Sequence, residues 1–386
     1  MTARVVACAL ALAACVDHEA GIKGTQSLQV TLTSPSDPGD LNNRLPDAAR
    51  AVAMNITALG PDGAVDTSYN NALQVYVYFL GTLTPYLGSS PFATVQMANG
   101  QGTLSATLPP VFGPTTLWFD DGTDDSATYA TGVSPTLWYR DPFISDIQTP
   151  ANEMSIDALD AAPLDNKNVD VEITRYGAQG RLVVTSVYTQ GYTLADVKCQ
   201  DANGTPPCVS SDYDYMDVFS YSAPQDQNQR FMDEGEVIDG FAGGVSEFDG
   251  LTEIGFPQTF AREATPVVNK AMEPPAVVMD STWFTNLIMF ERNESGLIEI
   301  DNAKVCDLDS DYTTFNQWKL DITDVGGMCS GNLINVITAG TIDSLDPSTL
   351  VGKVVPRVSG ILRPINIGSF NVWIIYPRSM ADLTLP

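Results

Sequence analysis

From Leu28 to the end of the chain, apolar residues recur at every second position in short runs broken by turn residues. Leu28, Val30 and Leu32 alternate, then Val52, Met54 and Ile56, then Leu73, Val75, Val77 and Phe79. A period of two puts one set of side chains on one face of a strand. Gly60-Pro61-Asp62-Gly63 separates two of these runs. Asn99-Gly100 lies between Val95 and Met97 on one side and Leu104, Ala106 and Leu108 on the other, the signal of a hairpin. No amphipathic helical stretch interrupts the series. Half-apolar strands bury their faces by stacking sheets or by closing them, so the chain predicts an all-β fold. Residues 27–140, with short strands at this spacing, predict a β-sandwich.

From Pro142 onward the strand runs lengthen and acidic loops carry the cysteines. An internal repeat appears here. Gly235-Glu236-Val237-Ile238, with Gly243 beyond, matches Gly352-Lys353-Val354-Val355 with Gly360, at an offset of 117 residues. At nearly that offset, Gly180-Arg181-Leu182-Val183-Val184 matches Gly296-Leu297-Ile298-Glu299-Ile300. Each copy adds a strand ending in proline, Thr252 to Phe256 before Pro257 and Asn371 to Tyr376 before Pro377. Repeated order of this kind reads as duplication. A Gly-Val strand with a second glycine is suited to coiling at a barrel corner, apolar side chains inward. Two OB-like β-barrels are expected, the first with its lead-in segment over 141–262 and the second with a linker over 263–386.

The N-terminus reads as an address. Arg4 precedes an apolar run from Val5 to Ala14, too short to span a bilayer. Leu12-Ala13-Ala14-Cys15 resembles the lipobox of bacterial lipoproteins. The resemblance implies a signal peptide over 1–14, acylation of Cys15 and a tether over 15–26. Val16 rather than aspartate after the anchor implies the outer membrane, on its periplasmic or cell-surface face. The membrane is then a partner through lipid alone. Cys8 leaves with the signal, and four cysteines remain, allowing three pairings. Proximity favours Cys199–Cys208 and Cys306–Cys329, and an exported protein favours disulfides over free thiols.

Charge and composition narrow the chemistry. The net charge is −28, and residues 141–386 hold 14 Lys and Arg against 36 Asp and Glu. Such a field repels phosphate-rich partners and argues against nucleic acid. His18, in the tether, is the one histidine, so the folded body offers neither Ser-His-Asp nor Cys-His catalysis nor the usual zinc ligand. Asp307, Asp309 and Asp311 open like an EF-hand loop, yet Tyr312 and Trp318 replace its glycine and glutamate. They stand as a calcium reading, beside Asp120, Asp121, Asp124 and Asp125, or Asp212, Asp214 and Asp217, against a reading as solvated turns. Arg357, Arg363 and Arg378 are the candidate binding cations of the last barrel. Tyr213, Tyr215, Trp283, Trp318 and Trp373 are candidate stacking rings, although Trp373 reads rather as packing in or beside a barrel core and Trp283-Phe284 as filler between modules. Asp233-Glu234 and Glu236 hold carboxylates for glycoside chemistry without a visible cleft.

Two resemblances add to this. Asn55-Ile56-Thr57-Ala58-Leu59-Gly60-Pro61-Asp62-Gly63, with Leu108-Pro109-Pro110 and Leu117-Trp118, resembles bacterial immunoglobulin-like modules. It implies a spacer or adhesive module without chemistry of its own. Phe143-Ile144-Ser145-Asp146-Ile147-Gln148, Asp217-Val218-Phe219-Ser220-Tyr221, Val245-Ser246-Glu247-Phe248 and Phe290-Glu291-Arg292-Asn293-Glu294-Ser295-Gly296 resemble, in order, the OB-fold-like region of bacterial extracellular endonuclease/exonuclease proteins. In that family a metal-dependent nuclease domain follows this region, so the resemblance implies its non-catalytic part. The expectation is a non-catalytic, lipid-anchored envelope protein that binds or scaffolds an unknown envelope protein or surface polymer, with no cofactor. The alternatives are an accessory module for extracellular nucleic acid or a separate nuclease, and a calcium-assisted carboxylate hydrolase.

Overall fold

The computed structural model of the protein describes residues 27–122, 130–151, 153, 162–263, 265–323, 328–367 and 370–386. The expected signal peptide, Cys15, the tether, and Asp124 and Asp125 lie outside the described residues. The chain divides into two compact units, Met1–Arg140 and Asp141–Pro386.

The first unit contains β1 (Ser27–Ser34), β2 (Ala51–Leu59), β3 (Ala72–Phe79), β4 (Ala93–Gln96), β5 (Gln101–Thr107), β6 (Pro114–Asp120), β7 (Thr131–Val133) and β8 (Leu137–Trp138). One sheet runs β1-β2-β5 and the other β4-β3-β6-β7, with β8 on β6. This is an immunoglobulin-like strand order. The alternation sets the packing: Val52, Met54, Ile56 and Ala58 of β2, and Leu73, Val75, Val77 and Phe79 of β3, are all buried. The β4–β5 turn is Asn99-Gly100, with φ of 51° and 76°. Two successive left-handed residues match the twist of a hairpin, and these two residue types accept them most readily.

The second unit opens with β9 (Asn168–Val171), β10 (Gly180–Tyr188), β11 (Gly191–Lys198), β12 (Tyr215–Phe219), β13 (Glu236–Phe248), β14 (Leu251–Ala261) and β15 (Val267–Val268). Strands β10-β11-β12-β14-β13 form a circuit that closes through β10–β13 pairing, with β12 and β14 parallel. Then follow β16 (Val277–Val278), β17 (Leu297–Val305), β18 (Gln317–Asp321), β19 (Leu333–Ile337), β20 (Val354–Ile367), β21 (Phe370–Tyr376) and β22 (Leu383–Thr384). Strands β17-β18-β19-β21-β20 repeat the same circuit, closed by β17–β20 and with β19 and β21 parallel. Both are five-stranded barrels of OB type. The sequence repeat is the barrel repeat, since its matched segments fall on β10 and β17, β13 and β20, and β14 and β21.

The long strands do the closing. Strand β13 pairs with β10 through Val237 and Ile238, then bends to pair with β14 as far as Phe248. Strand β20 likewise pairs with β17 up to Ile361 and with β21 beyond it. Gly243 and Gly360 make the bends possible. A Cβ on Gly243 would lie 2.5 Å from Ile254 Cγ2, and one on Gly360 would lie 2.4 Å from the Tyr376 carbonyl oxygen. Contact that close leaves room only for glycine.

Each barrel has its own core. Val183, Ala195, Val197, Tyr215 and Val237 pack with Cys199 and Cys208 in the first. Trp318, Leu320, Val336, Val358, Leu362 and Ile375 pack in the second. Trp283, expected between modules, belongs to this second core, edge-on to Phe290 at 5.5 Å between centroids. Trp373 stacks on the same Phe290 at 5.4 Å. Both expected disulfides form, Cys199–Cys208 and Cys306–Cys329. Their places differ. The first clips the β11–β12 connection, whereas the second ties the end of β17 to the β18–β19 loop. The reason is local: β10 and β11 are joined by a tight hairpin, while a helix, Ser310–Phe315, is inserted between β17 and β18. Replacing Cys306 and Cys329 together by serine should lower unfolding stability by about 2–4 kcal/mol, measured by urea denaturation against the unreduced protein.

Candidate functional site

The segment Phe290–Gly296 joins the barrels, and its polar groups are spent on that junction. The Arg292 carbonyl accepts from the Tyr213 N–H at 2.8 Å, just before β12. The Thr252 N–H of β14 donates to Glu294 Oε1 at 3.0 Å, and the Ser295 N–H donates to the Leu362 carbonyl of β20 at 2.7 Å. Glu294 is buried, and burial followed by the field of Glu291 pushes its carboxyl far above the usual range. The stretch that resembled the nuclease-associated region is thus a junction between two sheets.

Arg378, just after β21, makes the second link. Its Nη1 donates to the Thr185 carbonyl of β10 at 2.7 Å and to Glu273 Oε2 at 3.0 Å. Its Nε and Nη2 grip the two oxygens of Asp382, each at 3.0 Å. The planar fork matches a carboxylate on two atoms at once, and the remaining donor reaches the other barrel.

Beside this clamp lies a cavity of about 280 Å³. The first barrel contributes Ser186, Tyr188, Thr193 and Asp217; the second contributes Thr341, Arg363, Tyr376 and Arg378. Asp217 is buried on β12, and the Tyr188 hydroxyl donates to its Oδ1 at 2.6 Å. Burial raises its carboxyl, against the pull of Arg363 and the Tyr188 hydrogen bond. Glu253, opposite Asp217 across the parallel β12–β14 pair, is raised to about 7, first by burial and then by the Asp217 charge. Arg363 on β20 lies over the Tyr376 ring at 5.7 Å. Among the described residues its buried Nε has no hydrogen-bond partner and the guanidinium has no carboxylate within 4.0 Å. Burial works against its charge, but the fields of Asp217, Tyr376, Tyr188 and Glu253 outweigh it. An arginine and an aspartate thus face one space without touching.

The three candidate arginines are therefore divided. Arg363 and Arg378 meet in the cleft, whereas Arg357 pairs with Glu299 at 3.6 Å and donates to the Ala381 carbonyl. Among the acidic sets, Lys319 bridges Asp309 and Asp311 at 2.7 Å each, and Asp309 also caps the helix Ser310–Phe315. Asp121 accepts from the Tyr69 hydroxyl at 3.2 Å. Asp212, Asp214 and Asp217 turn to three different partners, Arg292, Arg175 and Tyr188. Glu234 pairs with Lys270 while Glu236 is buried. Among the described residues no group of three such side chains is placed to hold a metal ion.

The proposed stacking rings Tyr215 and Trp318 are core residues, and the Tyr213 hydroxyl donates to Glu153 at 2.6 Å. Exposed Tyr221 and Phe256 form a ring cluster with the half-buried Phe219, with centroids 4.5 and 4.9 Å apart. Tyr221 and Phe256 have φ of 59° and 51°, a left-handed conformation no residue pattern announces. Sequence reasoning also missed Tyr188 and Tyr376, because tyrosines on alternating strands carry no signal of which cavity they border.

No protein-family model and no curated protein matches the chain. Among solved structures, dimeric latent PorU from Porphyromonas gingivalis aligns with 91% of this chain and 34% of that one, at 8% identity and a TM-score of 0.20. The chain spans about a third of that protein's length, and a score so low carries no argument about fold or activity.

Two outcomes follow from these buried charges. Arg378→Met should destabilise by roughly 3–5 kcal/mol, because it leaves Glu273 and Asp382 partly buried without their cation; chemical denaturation reads this directly. Elsewhere in the first barrel Asp196 is raised to about 8, first by burial. A carboxyl raised on folding makes the native state the stronger proton binder, so stability falls as pH rises. Thermal melting should therefore weaken from about pH 4.5 to about pH 8, the span between ordinary and raised carboxyl values. Glu253→Gln should flatten the lower part of that slope and Asp196→Asn the upper part.

Proposed function

We propose that this chain is a non-catalytic, lipid-anchored binding module of the bacterial outer envelope. The observation that carries the binding reading is the cleft itself, a cavity of mixed lining with charged side chains in its wall, framed by two separately cored barrels that Arg378 and Glu294 lock together. Rigid elements on both sides hold an unpaired guanidinium and a buried carboxyl in place, which is how a site is preorganised for a ligand. The two disulfides support an oxidising compartment. The lipobox-like Leu12-Ala13-Ala14-Cys15 supports export and tethering at the outer membrane. Among the described residues no helix is long and apolar enough to cross a membrane. The immunoglobulin-like unit serves as spacer, and the resemblance of the barrel sequence to a nuclease-associated region supports an accessory rather than a cutting role.

The anchoring part is tested by fractionation. Cys15→Ser should move the protein from the membrane pellet to the soluble fraction, and labelling with a fatty-acid analogue should disappear with it. An unchanged pellet and persistent label would reject the anchor. A gel shift with labelled single-stranded DNA at low salt separates the nucleic-acid alternative: no shift is expected from a chain of charge −28.

A further inference from the structure

Resting on the binding-module reading above, we infer that the cleft takes a small zwitterion of the α-amino acid class, its carboxylate on Arg363 and its ammonium on Asp217. The cleft presents one guanidinium and one carboxyl that both line the same cavity and yet do not form an ion pair. A pair held apart costs the protein desolvation without returning the contact energy, unless something bridges it. The bridging body must be anionic at one end and cationic at the other.

Each simpler ligand leaves a charge uncompensated. A lone anion would satisfy Arg363 and face Asp217 across the same space. A lone cation would satisfy Asp217 and face the guanidinium. A phosphate dianion meets the first of these objections doubly, together with the strong negative field of the whole chain. A zwitterion of zero net charge escapes all of these. Its carboxylate is planar and matches the free Nε edge of a guanidinium on two atoms. Its ammonium brings donors to a carboxyl that, among the described residues, accepts a side-chain hydrogen bond from Tyr188 alone.

Size and walls point the same way. A cavity of about 280 Å³ is below the range of roughly 300–1,000 Å³ for drug-sized ligands. Peptide termini move apart by about 3.3–3.6 Å per extended residue, so a longer peptide does not bring both ends to this one pair. Thr193, Thr341, Val187 and Ile361 line other parts of the wall, with Tyr188 and Tyr376, a mixed surface for a compact side chain.

The charges around Asp217 add a pH signature. The titratable groups acting on it are Tyr188 on β10, Glu253 on β14, Arg363 on β20 and Glu294 at the junction. An ammonium beside Asp217 favours its carboxylate, so affinity should fall as acid protonates that group.

The test is isothermal titration of the full chain with free L-amino acids, against four controls: the N-acetyl amino acid, the amino acid amide, glycine betaine and glucuronate. Binding of one or more free amino acids is expected, weakened on the order of tenfold or more when either end is capped. Arg363→Gln and Asp217→Asn should each cause a loss of that size, with far-UV circular dichroism unchanged. Should Arg363→Gln fail to fold, Thr341→Val offers a milder change in the same wall, expected to alter the order of preference among amino acids. Equal binding of capped and free forms, or affinity untouched by Asp217→Asn, overturns the inference. Arg363-dependent binding of glucuronate alone overturns it too, while leaving the binding-module reading standing. Silence across the whole panel rejects the zwitterion, and Cys15→Ser fractionation still decides the anchored envelope reading on its own.

Discussion

The arrangement of the second unit depends on one guanidinium. Arg378 emerges from the end of β21, the last strand of the second barrel's circuit, and spends its donors on Asp382, Glu273 and the Thr185 carbonyl. The first partner is in its own barrel, the second in the linker and the third in the opposite barrel. A flexible point charge would not hold all three directions; a rigid planar fork does. With this clamp and the Glu294 contact both joining them, the barrels present fixed walls to the space between them. The cleft is a consequence of how the barrels are pinned.

The acidity of the chain takes on a second meaning in this setting. A net charge of −28 reads first as a device for solubility and for repelling polyanions. Yet several carboxyls of the second unit are internal, including Asp196, Asp214, Asp217 and Glu294. Asp214 illustrates the paired kind, accepting from Arg175, the Tyr176 hydroxyl and the Ser211 N–H. Asp217 and Glu294 illustrate the other kind, raised by burial and only thinly hydrogen-bonded. Groups of the first kind fix a loop; groups of the second respond to their surroundings. The cleft borders one of the second kind.

Much of the fold was legible because β structure writes itself locally. A two-residue period, Asn-Gly at a turn and glycines at Gly243 and Gly360 each have one dominant physical use, and each was used that way. The duplication was visible because the same closing strand is needed twice. Disulfide pairing was legible from proximity alone, but the different placement of the two loops was not, since it depends on a helix inserted in one barrel and absent from the other. The candidate cations were harder. Arg357, Arg363 and Arg378 look alike in sequence, and only packing separates an ion-paired surface residue, an unpaired one in a cleft and a structural clamp.

By itself the sequence determined the all-β class, the sandwich, the repeated barrel, the cysteine pairs and the acidic character. All of these arise from neighbours along the chain or from sums over it. The tertiary structure alone decided that Asp217 and Arg363 share a cavity, that Trp283 fills a barrel core, and that Lys319 stands between Asp309 and Asp311. Asp217 and Arg363 lie on different barrels, so no spacing, period or motif relates them. Their relation exists only after two separately closed sheets have been pressed together and locked, and chemistry between elements is set at that step.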